Sequence, residues 1–163
     1  TCRGTGQVPE TSCRACRGSG VAQASEEIAI SIPAGISDGE MIKMVGKGEA
    51  VAGGIAGDLY VKLHVVPDKR FGRVGFDITT HLDISVSDAL LGGEKQLDSL
   101  EGALRVQVPS GTASGSILRI RGKGVPRARG GRGDLLITVL VKPPRKLSKR
   151  AKELLEELKK EGI

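Results

Sequence analysis

Cys13 and Cys16 are separated by two residues, the spacing with which a pair of thiols binds a metal ion or carries out redox chemistry. The residues that follow, Gly18-Ser19-Gly20, favour a tight turn whose backbone N–H groups approach the sulfur atoms. A redox pair instead opens a helix, which this glycine-rich sequence does not favour. We therefore predict a structural zinc site at this motif, with redox chemistry as the alternative.

A structural zinc ion takes four ligands, whereas the chain contains three cysteines, Cys2, Cys13 and Cys16. Residues 2–6 copy the second half of the motif that starts at Cys13, so we expect the chain to begin inside a repeated motif. The three predicted metal ligands then form incomplete sites. We expect zinc to be absent or incompletely coordinated in this chain.

Two histidines, His64 and His81, lie within predicted strands, and we interpret both as ordinary strand residues. No cysteine follows Cys16, which is not the pattern of a secreted disulfide framework. No run of apolar residues is long enough to cross a membrane. The sequence therefore predicts reduced thiols and a cytoplasmic protein with no membrane partner.

An internal repeat with an offset of 76 residues supplies the elements that must position these side chains. The first copy contains Ile32-Pro33-Ala34-Gly35, Gly46-Lys47-Gly48 and Gly57-Asp58-Leu59, and the second contains Val108-Pro109-Ser110-Gly111, Gly122-Lys123-Gly124 and Gly133-Asp134-Leu135. The two copies align without a gap. A chance match would not keep Gly, Pro, Lys and Asp in one register.

Each copy predicts three strands: an alternating run, a second strand after a Pro-x-Gly turn, and a dense apolar run after the Gly-Lys-Gly loop. These are Ile28–Ile32, Met41–Val45 and Leu59–Val66 in the first copy, and Leu104–Val108, Ile117–Arg121 and Leu135–Val141 in the second. We expect the third strand of each copy to be covered on both faces. The second copy is preceded by a strand (Asp77–Ile84), a short helix (Val86–Leu91) and a further strand that Gly92-Gly93 opens and that continues through Leu97.

The predicted fold class is mainly β, with two tandem, mostly antiparallel β-sandwich-like domains. A partial Cys-rich zinc-knuckle segment precedes them and an amphipathic helix follows. We place the Cys-rich segment at 1–24, the first β domain at 25–74, the second at 75–145 and the helix at 146–163. The opening strands of the second domain have no counterpart in the first, so we expect the first domain to lack them.

The C-terminal helix has an apolar stripe of Ala151, Leu154, Leu155 and Leu158, and Ser148 is placed to cap its start. We predict that Leu154, Leu155 and Leu158 pair with a second copy of the chain to form a homodimer. The alternative is that the helix folds back onto its own domain.

The residues of the chain do not predict an enzyme. No nucleophile, histidine and acid are grouped, and Gly46-Lys47-Gly48 lacks the spacing of a phosphate-binding loop. Asp58 and Asp134 recur in the repeat, but each follows a glycine at a strand start, where we expect a turn-forming role.

A basic cluster in the second copy raises the question of nucleic acid. It consists of Arg119, Arg121, Lys123, Arg127, Arg129 and Arg132. No aromatic residue lies among them to stack on bases, and the first copy does not share the charge. We expect a solvated loop, with an acidic partner segment or nucleic acid as the alternatives.

The sequence resembles the C-terminal part of DnaJ-type co-chaperones of the zinc-containing class, including the last part of their Cys-rich domain. Besides the cysteine motif and the repeat motifs, the resemblance rests on Phe71-x-Arg73-x-Gly75-x-Asp77 and Ala89-Leu90-Leu91-Gly92-Gly93-Glu94. It implies a protein that binds unfolded client polypeptides and delivers them to a DnaK-type ATP-driven chaperone. It also implies zinc in the intact protein, with Cys13 and Cys16 in the last cysteine repeat and Cys2 in the third. The residues that would mark a J domain are not in this sequence, so we expect no ATPase stimulation.

The resemblance also implies a peptide-binding groove in the first β domain. The groove positions are Ile28 and Val61, with Ile30 and Leu63 as their same-face neighbours. The alternative is that these side chains belong only to the core, because both roles require the same alternation. For the whole chain, the alternative functions are a zinc-knuckle nucleic-acid-binding module and a scaffold for dimerisation.

Overall fold

The computed structural model describes residues 13–162, which divide into two compact units. Unit 1 extends to Val66 and unit 2 starts at Pro67. The sequence analysis placed the boundary after residue 74, whereas the structure places it after Val66. The difference arises because residues 72–74 pair with residues 77–79 of unit 2. Cys2 lies outside the described residues.

Unit 1 is built on one antiparallel pair of strands, β1 (Met41–Met44) and β2 (Leu59–Lys62). The strand predicted over 28–32 is not formed. The matching run in unit 2 pairs with residues 93–99, whereas the unit 1 counterpart of that partner, 17–23, forms a turn and irregular chain. The prediction was wrong because alternation makes a strand only where a neighbour completes its hydrogen bonds.

Unit 2 contains six strands and a short helix. They are β3 (Gly72–Val74), β4 (Asp77–Ile84), α1 (Val86–Leu91), β5 (Gly93–Ser99), β6 (Gly102–Val108), β7 (Ile117–Ile120) and β8 (Leu135–Val141). One sheet has the order β3-β4-β8-β7, and β5 and β6 form a second sheet. Every pairing is antiparallel except β4 with β8, which is parallel. The elements predicted at Asp77–Ile84 and Val86–Leu91 are confirmed.

The core of unit 2 lies between its two sheets. Ile137 and Val139 of β8 are completely buried, and Val106 and Val108 of β6 meet them from the other sheet. The chain is mainly β with a C-terminal helix, as predicted. No residue of unit 1 within 13–66 is fully buried, so the prediction of two tandem sandwiches is not confirmed.

The repeat is reproduced in the hydrogen bonds of the two units. The Gly46 N–H donates to Asp58 Oδ1 at 3.0 Å, and the Gly122 N–H donates to Asp134 Oδ1 at 2.8 Å. Gly46 and Gly122 share a φ of +69°, a conformation that favours glycine. The strand registers match as well, since Ile42 faces Val61 where Leu118 faces Ile137.

The two recurring aspartates have the turn-forming role predicted for them. The pKa of Asp58 is lowered by the Lys43 ammonium and then by the Gly46 N–H. The pKa of Asp134 is lowered by the Gly122 N–H and then by the Arg119 guanidinium. Each carboxylate therefore joins the loop to a basic side chain of the preceding strand.

The third strands of the two copies differ in burial. β8 alternates between buried and half-buried residues, so both of its faces are covered as predicted. β2 alternates between half-buried and exposed residues, and Tyr60 is 57% exposed. The prediction of two covered faces was therefore wrong for β2.

The chain ends in helix α2 (Lys149–Lys160), which starts at the predicted cap. The Ser148 hydroxyl accepts a hydrogen bond from the Ala151 N–H at 3.1 Å. Leu154, Leu155 and Leu158 are exposed, and no residue of α2 is fully buried. Within the described residues, the chain itself therefore covers the leucine stripe only in part.

Candidate functional site

One face of the β1–β2 pair is apolar and only partly covered. We define it as the open face, formed by Ile42, Met44, Leu59, Val61 and Leu63. Cross-strand pairing places Ile42 opposite Val61 and Met44 opposite Leu59. All five side chains are half-buried, and none is fully buried. The face therefore offers apolar surface that the described residues cover only in part.

The same positions in unit 2 are closed. The counterparts of Leu59, Val61 and Leu63 are Leu135, Ile137 and Val139, of which none is more than 1% exposed. The second sheet of unit 2 covers them through Val106 and Val108. The units thus share a strand register and differ in whether a second layer lies over it.

Of the predicted groove residues, Val61 and Leu63 lie on the open face. Val61 is in β2, and Leu63 continues the ladder, because its N–H donates to the Glu40 carbonyl oxygen at 2.9 Å. Ile28 and Ile30 lie in an extended segment outside any strand, where Ile28 is half-buried and Ile30 is 38% exposed.

The counterparts of Ile28 and Ile30 are Leu104 and Val106, which pack in the same core as Ile137 and Val139. The repeat therefore relates all four predicted groove residues to one apolar core in unit 2. This relation is compatible with both a groove and a core, so the groove stays a prediction.

Sequence reasoning missed three exposed apolar residues in unit 1. Val45, Val51 and Ile55 lie in the loop between β1 and β2, and Ile55 is 92% exposed. An alignment of the two copies could have found them, because Arg121 and Arg127 occupy the places of Val45 and Val51. The two copies present different chemistry at the same loop.

The predicted metal ligands Cys13 and Cys16 are free thiols on a tight turn. The Arg17 N–H donates to the Cys13 carbonyl oxygen at 2.8 Å, and Arg17 and Gly18 both have positive φ. The Cys16 and Ala15 N–H groups, in that order, lower the pKa of the Cys13 thiol. This N–H geometry suits a thiolate that binds a metal ion.

The two thiols provide half of a tetrahedral donor set. Across residues 13–162, no cluster of three or more His, Cys, Asp or Glu side chains could hold a metal ion. The turn fits zinc chemistry, and further ligands would have to come from outside the described residues.

Unit 2 contains a separate groove of about 500 Å³. Phe71 and Leu97 supply its apolar lining, and Lys69, Arg70 and Asp98 supply charge around it. His81 also lines this groove from β4 and is exposed, in a role that the sequence did not suggest. The groove is a second place where an apolar side chain could enter.

The family model for the DnaJ C terminal domain matches residues 6–144. The chain belongs to the DnaJ C-terminal domain family. The resemblance drawn from the sequence motifs is thereby confirmed. The family match spans both copies of the repeat and ends before α2.

Curated DnaJ relatives match nearly the whole chain. It is 47% identical over 156 residues to chaperone protein DnaJ 2 of Nocardia farcinica, a match covering 95% of this chain and 40% of that protein. The match to chaperone protein DnaJ of Fusobacterium nucleatum is 42% identical over 158 residues and covers 96% and 40% of the two chains. That of Oceanobacillus iheyensis is 43% identical over 163 residues, with 99% and 44% covered.

This DnaJ C-terminal chain spans about two fifths of the length of the curated relatives it matches. No helix between residues 13 and 162 is long and apolar enough to cross a membrane.

Proposed function

We propose that this chain is the client-binding part of a DnaJ-type co-chaperone and binds unfolded or apolar polypeptide segments. The observation that carries the proposal is the open face of unit 1, whose counterpart in unit 2 is buried. A closed core cannot accept another chain without unfolding, whereas a half-covered apolar face can.

Strand addition gives this face a physical mechanism. Within the described residues β2 pairs only with β1, so the outer edge of β2 has free N–H and C=O groups. An extended client segment hydrogen-bonds to such an edge through its main chain, which demands little of the client sequence. Its apolar side chains then pack against Val61 and Leu63, and burying one Leu contributes about 1.5–3 kcal/mol.

The proposed partners follow from the family. We propose delivery of the bound client to a DnaK-type chaperone, which holds the ATP-driven activity. We propose further that Cys13 and Cys16 bind zinc in the intact protein, where other cysteines complete the tetrahedral site. The role of Cys2 in a zinc site is part of the same proposal.

Fluorescence anisotropy with a labelled, unstructured Leu-rich peptide tests the client-binding proposal. We expect saturable binding that Ile28→Ser and Val61→Ser each weaken at least tenfold, or about 1.4 kcal/mol. Tyr60→Ser is the matched control, because Tyr60 neighbours Val61 in β2 but is exposed on the opposite face. It should leave the affinity unchanged.

Unfolding measurements on the same variants separate a groove from a core. If Val61 is only a core residue, Val61→Ser lowers the free energy of unfolding and any loss of binding follows the loss of folded protein. Binding that neither substitution changes would contradict the open face and place the client at Phe71 and Leu97 in unit 2. No binding at all would contradict a client-binding function for this chain.

A second candidate function, a scaffold for dimerisation, is favoured by one observation. Leu154, Leu155 and Leu158 form a regular apolar stripe on α2 that is 40–46% exposed. We propose that the stripe pairs two copies of the chain, which would bring two client-binding units together and raise the avidity for one client.

A further inference from the structure

Nearly all of the net charge of the chain lies in one segment of unit 2. Residues 119–134, which we name the arginine segment, contain six basic residues and one acidic residue. Their formal charge is +5, against +6 for the whole chain. The counterpart in unit 1, residues 43–58, has two basic and two acidic residues and no net charge. The charge is therefore a property that distinguishes unit 2 and is not required by the shared fold.

Ion pairs hold the base of the arginine segment in place. Glu101, in the turn between β5 and β6, pairs with both Lys123 and Arg132. The pKa of Glu101 is lowered, first by Lys123 and then by the charge of Arg132. Arg119 donates to Asp134 through its Nε at 2.6 Å. These contacts fix the two ends of the segment, so its tip is presented on a supported base.

The tip itself is a tight turn. The Arg127 N–H donates to the Gly131 carbonyl oxygen at 3.0 Å, and the Gly130 N–H donates to the Arg127 carbonyl oxygen at 3.1 Å. Pro126 and Arg132 form a β-bridge below it. Arg127 and Arg129 stand on this turn without an ion-pair partner among residues 13–162. One turn thus carries two arginines that have no carboxylate partner among these residues.

Arg127 is also oriented by an aromatic ring. Its guanidinium carbon lies 5.1 Å from the centre of the Phe76 ring, and Phe76 is 40% exposed. The Val125 N–H donates to the Phe76 carbonyl oxygen at 2.9 Å, which ties the tip to the ring. A guanidinium that stacks on a ring keeps its in-plane N–H groups available for a bidentate anion. Arg127 is therefore positioned before any partner arrives.

We propose that the arginine segment binds an acidic polypeptide segment, whose Asp and Glu carboxylates pair with Arg127 and Arg129. Carboxylates match the two parallel N–H groups of a guanidinium. Single-stranded nucleic acid is disfavoured because it needs successive free aromatic faces, and the face of Phe76 is shared with Arg127. This site lies in unit 2 and is independent of the proposed client-binding face.

Fluorescence anisotropy with a labelled oligo-glutamate peptide tests the proposal on the full chain. We expect saturable binding that the double variant Arg127→Gln/Arg129→Gln weakens at least tenfold. The matched control is Arg145→Gln/Lys146→Gln, which removes the same charge from exposed residues outside the segment. The control should weaken binding less than twofold, and circular dichroism should be the same for all three proteins.

Three outcomes would overturn the proposal. They are absence of saturable binding, equal weakening by the two double variants, and tighter, arginine-dependent binding of labelled oligothymidylate than of the peptide. Equal weakening would show a response to net charge alone, and oligothymidylate preference would assign the segment to nucleic acid. Binding of the Leu-rich client peptide by Arg127→Gln/Arg129→Gln should be unchanged, so failure here leaves the client-binding proposal standing.

Discussion

At the residue scale, the sequence was most informative where a side chain acts on its own backbone neighbourhood. The spacing of Cys13 and Cys16 and the glycines after them predicted a tight turn, and the recurrence of Asp58 and Asp134 predicted a turn-forming carboxylate. The cysteine turn is encoded within a few residues, and each aspartate bond joins the two ends of one 12-residue strand connection. The stacking of Arg127 on Phe76 was missed, because these residues are brought together only by the fold of unit 2.

The first prediction at this scale concerns the thiol of Cys13. The lowered pKa means that Cys13 forms thiolate below the ordinary value of 9.0, and only the thiolate is alkylated rapidly. We expect the iodoacetamide reaction of Cys13, followed by peptide mass spectrometry, to rise at lower pH in the folded chain than in urea. The difference should vanish above the ordinary pKa, where both forms are thiolate.

A conservative variant identifies the cause of that shift. Cys16→Ser keeps the backbone N–H that is the largest cause of the lowered pKa and removes the thiol. The shift should survive in this variant. A pH profile that returns to that of the urea-unfolded chain would contradict the backbone origin. Added zinc should slow the alkylation of the unmodified chain if the turn binds metal.

At the element scale, strands were predictable where the pairing partner is itself a formed strand. β4, β7 and β8 were located from alternation and apolar runs, and the capped start of α2 was located from Ser148. Ile28–Ile32 has the same alternation and forms no strand, because the pairing partner decides the outcome. The parallel pairing of β4 with β8 was also beyond sequence reasoning, since periodicity contains no information on strand direction.

The stripe of α2 gives the prediction at this scale. Leu154→Lys and Leu158→Lys place charges in the proposed helix pair, so we expect each variant to sediment as a monomer at concentrations where the unmodified chain is a dimer. Leu147→Lys is the control, because Leu147 is 39% exposed and precedes the helix. A monomeric unmodified chain, or a dimer that survives both helix variants, would contradict pairing through α2.

At the scale of the whole molecule, the chain contains two versions of one design with unequal burial. Leu59 and Leu135 occupy the same place in the repeat, yet Leu59 is half-buried whereas Leu135 is 1% exposed. The family and the repeat were predictable from the sequence, because both rest on residue types in register. The difference in burial was not predictable, because it depends on a second sheet. Among the described residues, only unit 2 has such a sheet.

Leu59 and Leu135 provide a test, because the same substitution to alanine can be made at both equivalent positions. Leu135→Ala should destabilise unit 2 by about 2–5 kcal/mol, as expected for a cavity in a closed core. Leu59→Ala should cost less, because part of its side chain is already hydrated. Hydrogen-exchange mass spectrometry in urea can follow the units separately, and equal losses would show that Leu59 lies in a closed core.

The parallel pair of β4 and β8 has a consequence for how unit 2 is made. Asp77 and Asp134, at the starts of these strands, are 57 residues apart. Synthesis at about 5–20 residues per second leaves β4 without β8 for roughly 3–11 s. During that interval the nascent chain exposes Ile78, Leu82 and Ile84, which are buried once β8 has paired with β4. The nascent chain is then itself an unfolded apolar segment, of the kind that a chaperone binds.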